Sequence, residues 1–236
     1  MAFRGFTHET FAFLRDLEAH NDRAWFADNR ERYECEVLGP QREFVDAIGS
    51  AFASIDQRVA AVAAVDGSIY RIHRDTRFSA DKSPYKTYAD MIFWLGAQRK
   101  GSTAGYWVRL EPAAVWVGGG NGMLTDEQLA RYRTAVDDGV HGRWLAEILG
   151  DLTSAGFELG EPRLKRVPAG FSAQHPRAEL LRFTELHALE KASPPPDEVF
   201  SAKFVDWCMQ RFGQVKPLVD WLAEQLGGIM PPDEIA

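Results

Sequence analysis

Arg71, Arg74, Arg77, Lys82 and Lys86 fall together in the stretch 71–87, interleaved with Asp75, Asp81 and Tyr85. The chain's 27 Lys and Arg in 236 residues would place roughly two in such a stretch, and five are present. Cations this close repel one another, each unrelieved pair costing about 1–4 kcal/mol depending on the local dielectric. Carboxylates, water or an anionic ligand must relieve them. The arginine fork matches planar oxyanions with two parallel hydrogen bonds, while Lys82 and Lys86 act as point charges. Asp75 and Asp81 can neutralise two of the five and orient the rest. The stretch therefore reads as the lining of a pocket for an anionic small molecule, a phosphate, a nucleotide or a carboxylate. If chemistry follows binding, Asp75, Asp81 and Tyr85 are the proton-transfer candidates by elimination. Whether the protein is an enzyme is left open by these residue types. The alternative is a non-enzymatic interaction or structural module, in which the same Arg, Asp and Lys side chains tie the fold together or dock an acidic partner surface.

Other constellations are weaker. Lys165 and Arg166, with His175, form a second basic block that would strengthen the site if it met the first; otherwise it is a solvated turn around Pro168 to Gly170. Gly118-Gly119-Gly120-Asn121-Gly122 leads into a helix start, but lacks the spacing of the dinucleotide and P-loop motifs, so a plain connecting loop is the simpler reading. His73, Asp75 and Asp81 mix imidazole and carboxylate as metal sites do, yet the neighbouring arginines compete for the carboxylates and repel a dication. No metal and no cofactor are expected. No Gly-x-Ser-x-Gly elbow is present to activate Ser79 or Ser83. Trp25, Phe26, Trp94, Trp107, Trp116, Trp207 and Trp221 read as core, and Cys35 and Cys208 as buried small hydrophobes.

With 34 acidic against 27 basic residues the net charge is −7, which opposes non-specific attraction to nucleic acid or anionic lipid. No run approaches the roughly 18 apolar residues of a membrane span, and the N-terminal residues lack an apolar signal segment. The expected location is the cytoplasm, with no membrane and no nucleic acid among the partners. No protein partner is indicated.

The charged stretch needs a scaffold, and the flanking patterns supply one. Phe11, Leu14 and Leu17 recur at helical spacing after Thr7, Asn21-Asp22 offers a stop and a new cap, and a second helix would hold Trp25, Phe26 and Tyr33. Gly39-Pro40 would separate it from a third, with Phe44, Ile48 and Phe52 on one face. Beyond Asp66-Gly67 the aromatic and β-branched runs Met91 to Leu95, Tyr106 to Leu110 and Val115 to Val117 read as strands, the last two joined as a hairpin across Glu111-Pro112-Ala113. Extended backbone from Tyr70 would put Arg71, His73, Asp75 and Arg77 on one face, and Arg74 and Phe78 on the other. Thr125 with Gln128 makes a capping box for a helix through Leu129, Tyr132 and Val136, and another follows near Trp144, Leu145 and Ile148. After Ser193-Pro194-Pro195-Pro196 comes a last helical region, expected to bend or restart at Pro217 and to stop at Gly227-Gly228. The fold class is α+β: a small, mainly antiparallel sheet flanked by N-terminal and C-terminal helices, in a single domain over 1–228, with 229–236 a loose tail.

Arg71-x-x-Arg74-Asp75-x-Arg77-Phe78 followed by Asp81-Lys82-Ser83-Pro84-Tyr85-Lys86 resembles the bacterial family catalogued as domain of unknown function 2461. Phe3-x-Gly-Phe6, Asn21-x-Arg23-x-Trp25-Phe26-x-x-Asn29, Leu164-Lys165-Arg166-Val167-Pro168-x-Gly170-Phe171 and His175-Pro176 match the same family pattern, so the resemblance runs over roughly residues 3 to 226. His20 and Asp22 depart from it, standing where asparagines are expected, a change that bears on helix capping. The resemblance implies relatives but no activity, substrate or cofactor.

Overall fold

The computed structural model describes residues 2–96 and 101–227. The expected tail at 229–236, and Gly228 of the expected helix stop, lie outside them.

Thr7 starts α1 (His8–Ala19) with a capping box: its hydroxyl accepts the Thr10 N–H at 3.2 Å while the Thr10 hydroxyl accepts the Thr7 N–H. Phe11, Leu14 and Leu17 are buried as their spacing predicts. Asp22 caps α2 (Arg23–Asp28), its carboxylate accepting from the N–H groups of Ala24 and Trp25 at 2.9 Å. The short α3 (Arg30–Tyr33) and a π-helical turn (Glu34–Leu38) lead directly into α4 (Gly39–Ala53). Gly39-Pro40 thus opens a helix without a break in the helical path. Proline has no N–H to give, and Pro40 stands where the path passes from the π-helical turn, with the Gly39 N–H on the Glu34 carbonyl, into the α-helix.

The sheet is six-stranded and antiparallel, in the order β1 (Val59–Ala60), β2 (Ala89–Leu95), β3 (Gly105–Glu111), β4 (Ala114–Asn121), β6 (Leu186–Ala192), β5 (Glu158–Leu159). The β3–β4 hairpin turns at Pro112-Ala113 as expected, and the strand at 186–192 went unread in the sequence. Between β4 and β6 run α5 (Asp126–Asp137), with the expected Thr125–Gln128 capping box, and α6 (His141–Ser154). The last helix, α7 (Phe204–Leu226), is continuous through Pro217. An interior proline costs about 3 kcal/mol, and the complete burial of Val215, Leu218, Val219, Trp221 and Leu222 around it offsets that loss.

By the density of its internal contacts the chain divides into two compact units, one of residues 1–93, 107–117 and 191–210, the other of 94–106, 118–190 and 211–236. In the first, Phe6 packs within 5.9 Å of Phe3, Phe44 and Phe204, and Phe44 and Phe52 of α4 meet Phe93 of β2. Phe13 of α1 packs against Trp25, Phe26 and Tyr33. In the second, Tyr132 of α5 lies 6.1 Å from Trp221 and donates its hydroxyl to the Leu180 carbonyl at 2.9 Å, while the Trp221 indole donates to the His141 carbonyl.

Three further expectations change. Gly118, Gly119 and Gly120 form the end of β4 and not a loop: a Cβ on Gly118 would stand 2.0 Å from the Ala188 carbonyl oxygen, so close strand approach explains the glycine. Cys35 is exposed, because its position in the π-helical turn faces away from the buried Val37 and Leu38; only Cys208 is buried. Trp94, Trp207 and Trp221 are core, whereas Trp25, Trp107 and Trp116 are half-buried, an indole being large enough to span from interior to surface.

Candidate functional site

The charged stretch forms an irregular hairpin on the first unit. Backbone bonds from Tyr70 N–H to the Asp90 carbonyl and from Ile92 N–H to the Ser68 carbonyl lay its start beside β2. His73 then pairs with Tyr85 in an antiparallel bridge, flanked by Arg74 N–H to the Pro84 carbonyl at 2.9 Å and Lys86 N–H to the Ile72 carbonyl at 2.8 Å. Exposure alternates as extended backbone requires: Arg71, His73, Asp75 and Arg77 are exposed, Ile72 is buried and Arg74 half-buried. The alternation ends in a turn at Arg77-Phe78, so Phe78 does not turn inward with Arg74 but stands 96 % exposed.

Residues 75–83 form the loop of this hairpin, and much of its charge is matched internally. Arg77 grips Asp75 with Nε at 2.9 Å and a terminal nitrogen at 2.6 Å. Arg74 pairs with Asp81, whose other oxygen accepts the Ser83 hydroxyl at 2.6 Å and the Ser83 N–H at 2.9 Å. Lys82 donates to the Thr76 carbonyl at 2.8 Å, which satisfies one donor without neutralising it. The Arg77 guanidinium and N–H hold the Asp75 carboxyl down at about 2. Asp81 is likewise held well below the ordinary carboxylate range, by the Ser83 hydroxyl and N–H first and Arg74 after them. Both are therefore charged acceptors near neutral pH and weak bases, which suits orientation of cations better than proton transfer.

Two cavities flank the hairpin where α2 comes up to it. The larger, about 710 Å³, is lined by Arg23, Arg74 and Lys82 with Asp22, His73 and Tyr85 among others. The smaller, about 370 Å³, is lined by Arg23, Arg30 and Arg71 with Glu34, and shares His73 and Tyr85. Five cations thus face two carboxylates. Asp22 already spends one carboxylate oxygen, Oδ1, capping α2, and the side chains of Arg23, Arg30 and Arg71 make no hydrogen bond or ion pair among the described residues. Asn21 fixes the floor: its amide donates to the Tyr85 carbonyl at 3.0 Å and accepts the Tyr85 N–H at 3.1 Å. The Tyr85 ring stacks on Phe26 at 4.2 Å.

The expected site residues therefore separate. Arg71, Arg74, Lys82 and Tyr85 line the cavities, and Asp81 reaches them through Arg74. Asp75 and Arg77 form their own exposed pair. Lys86 turns to a separate cluster, its ammonium 4.9 Å from the Tyr70 ring centre and 5.8 Å from that of Tyr88. Arg109 lies 4.0 Å over Tyr88 and grips Asp90 with nitrogens at 2.6 and 3.1 Å. Burial pulls the Lys86 amine below the usual lysine range, against the attraction of Asp90. Lys165 and Arg166 belong to the second unit, are exposed, and line neither cavity. His175 is engaged locally as well, with its Nδ1 accepting the Arg177 N–H at 3.0 Å and its Nε2 lying 3.2 Å from Asp137. Arg177 donates to the Val136, Asp137 and Asp138 carbonyls at the end of α5.

Arg23, Arg30, Asn21, Asp90 and Arg109 were not read as site residues. Arg23 and Asn21 did stand in the block Asn21-x-Arg23-x-Trp25; Arg30 and Arg109 carried no signal, since only the chain path sets them beside the hairpin. Among the described residues no three His, Cys, Asp or Glu side chains are grouped to hold a metal ion, Asp75 and Asp81 being engaged by arginines. No helix among the described residues is long and apolar enough to cross a membrane.

A family model described as a conserved hypothetical protein, DUF2461, matches residues 9–221. Neither the curated proteins nor the solved structures include a match.

Proposed function

From the premise that the chain belongs to the DUF2461 family, whose description names no activity, we propose that it binds a small anionic molecule, a phosphate or carboxylate, in the paired cavities between α2 and the hairpin of residues 70–86. One observation carries this reading: Arg23, Arg30, Arg71, Arg74 and Lys82 converge there against Asp22, Glu34 and the Asp81 that pairs with Arg74, inside a chain of net charge −7. Such an excess in a concave setting has unmet demand for negative charge. Arg23 and Arg71 offer free forks, and Lys82 keeps two donors unspent.

The test is thermal stabilisation by inorganic phosphate and pyrophosphate at low ionic strength, where a ligand at a hundred times its Kd adds about 2.7 kcal/mol. Arg23→Ala and Lys82→Ala are expected to abolish the effect, and Arg77→Ala, whose side chain is paired outside the cavities, to keep it. Absence of stabilisation by either anion in the unaltered protein would end the proposal.

A second reading is that the loop's charges only fasten the hairpin, and the internal pairs Arg74–Asp81 and Arg77–Asp75 favour it. The two readings part at Asp81→Asn. Releasing Arg74 from its carboxylate tightens phosphate binding in a pocket, and only loosens the loop in a structural tie.

A further inference from the structure

Resting on the anion-pocket reading, the geometry points to a narrower ligand class: an organic phosphate with an apolar body, whose anionic group sits with Arg23, Arg74 and Lys82 and whose body enters the smaller cavity against Phe26, Tyr33, Leu38, Val65 and Ile72. The two cavities differ in chemistry while sharing Arg23, His73 and Tyr85. The larger is dominated by cations and backbone-bound polar groups. The smaller has an apolar wall, and of that wall Phe26, Tyr33, Leu38 and Ile72 are under 9 % exposed while Val65 is open at 37 %. A bare inorganic anion would fill the first and leave the second wet.

The rim of the smaller cavity adds to this. Arg30 and Arg71 stand at it with Glu34, so a body that is aromatic finds guanidinium groups able to lie against its face. Burial pushes the Tyr33 hydroxyl up to about 12, which keeps that wall neutral over the physiological range. A ligand spanning both cavities passes the exposed edge of His73, whose ring already packs 5.2 Å from Tyr85 and 6.4 Å from Phe26. Aromatic surface thus continues from one cavity to the other.

Calorimetric titration of the full chain with inorganic phosphate, methyl phosphate and 1-naphthyl phosphate at low ionic strength tests the inference. The two esters carry the same anionic group, so their difference reports the apolar body alone. Naphthyl phosphate is expected to bind about tenfold or more tighter than methyl phosphate, since burying even part of a naphthyl ring removes tens of Å² of apolar surface from water. Val65→Ser, at a position 37 % exposed, is expected to cut the naphthyl advantage by about threefold and to leave inorganic phosphate unchanged. Equal affinity for the two esters overturns the inference and leaves the anion pocket standing. Binding of none of the three removes both.

Discussion

The Asn21 side chain and the Tyr85 backbone form a closed two-bond pair, donor at 3.0 Å and acceptor at 3.1 Å, joining residues 64 positions apart. A side-chain amide here does what a neighbouring strand would do: it meets both polar groups of one peptide position. It also sets the hairpin's height over α2, because Asn21 immediately precedes the Asp22 cap.

Replacement of Asn21 by Ala leaves a half-buried N–H and carbonyl at Tyr85 without partners, which is expected to cost about 1–2 kcal/mol. Asn21→Asp keeps the acceptor and loses the donor, and an intermediate loss is expected. Urea denaturation of the three proteins checks the order. Equal stability for all of them would show that water replaces the amide without loss.

The Asp75–Arg77 pair gives a pH signature. The Asp75 carboxyl titrates at about 2 in the folded chain, against roughly 3.9 in an unfolded one. Between those values the unfolded state binds the extra proton, so the pair's contribution is fully present above about pH 4 and fades as pH falls to about 2. In Arg77→Gln that contribution is absent throughout, and the stability gap between the two proteins is expected to close over that window. A gap that stays constant down to pH 2 would assign the effect elsewhere. The exposure of the pair keeps the gap small.

Much of this architecture was legible in the residues alone, and the reasons differ by element. The capping box at Thr125 and the helical spacings of Phe11, Leu14 and Leu17 and of Phe44, Ile48 and Phe52 are local signals, and each marks its helix. The strand at 186–192 was hidden because Leu-His-Ala-Leu-Glu-Lys-Ala has helix-forming composition; pairing with Gly118 to Gly120 outweighs that preference. The charged stretch was visible as an excess, but its division into cavity cations, an exposed ion pair and the Lys86 cluster depends on long-range neighbours. Arg109 is the plain case: 19 positions from Asp90, it takes the carboxylate that Lys86 would otherwise use.

That competition is testable. Arg109→Gln is expected to cost about 1–2 kcal/mol, since Asp90 is only 15 % exposed and loses a two-pronged partner while water reaches the site from the arginine side. At the same time Asp90 becomes free to attract the Lys86 ammonium, and one repelling cation disappears. The Lys86 amine is then expected to titrate higher, back toward the ordinary lysine range. Carbon-13 NMR of the reductively methylated protein follows that amine directly, and a Lys86 resonance with unchanged titration would rule the competition out.

His187 on β6 makes a pH-dependent contribution of the opposite chemical type, acting through burial of a neutral ring. Its imidazole stands against Gly160, where a Cβ would meet the ring at 2.9 Å, and burial lowers its pKa below the usual value despite the attraction of Glu185. Below about pH 6.5 the unfolded chain takes up a proton that the folded chain resists, so folding free energy declines as the solution is acidified through that region. His187→Gln, which has no proton to gain, is expected to give a flatter profile between pH 7 and pH 5. Unfolding midpoints measured across that interval for both proteins decide it: parallel profiles would mean that His187 is solvated enough to titrate normally, and the close fit at Gly160 would then be a matter of shape alone.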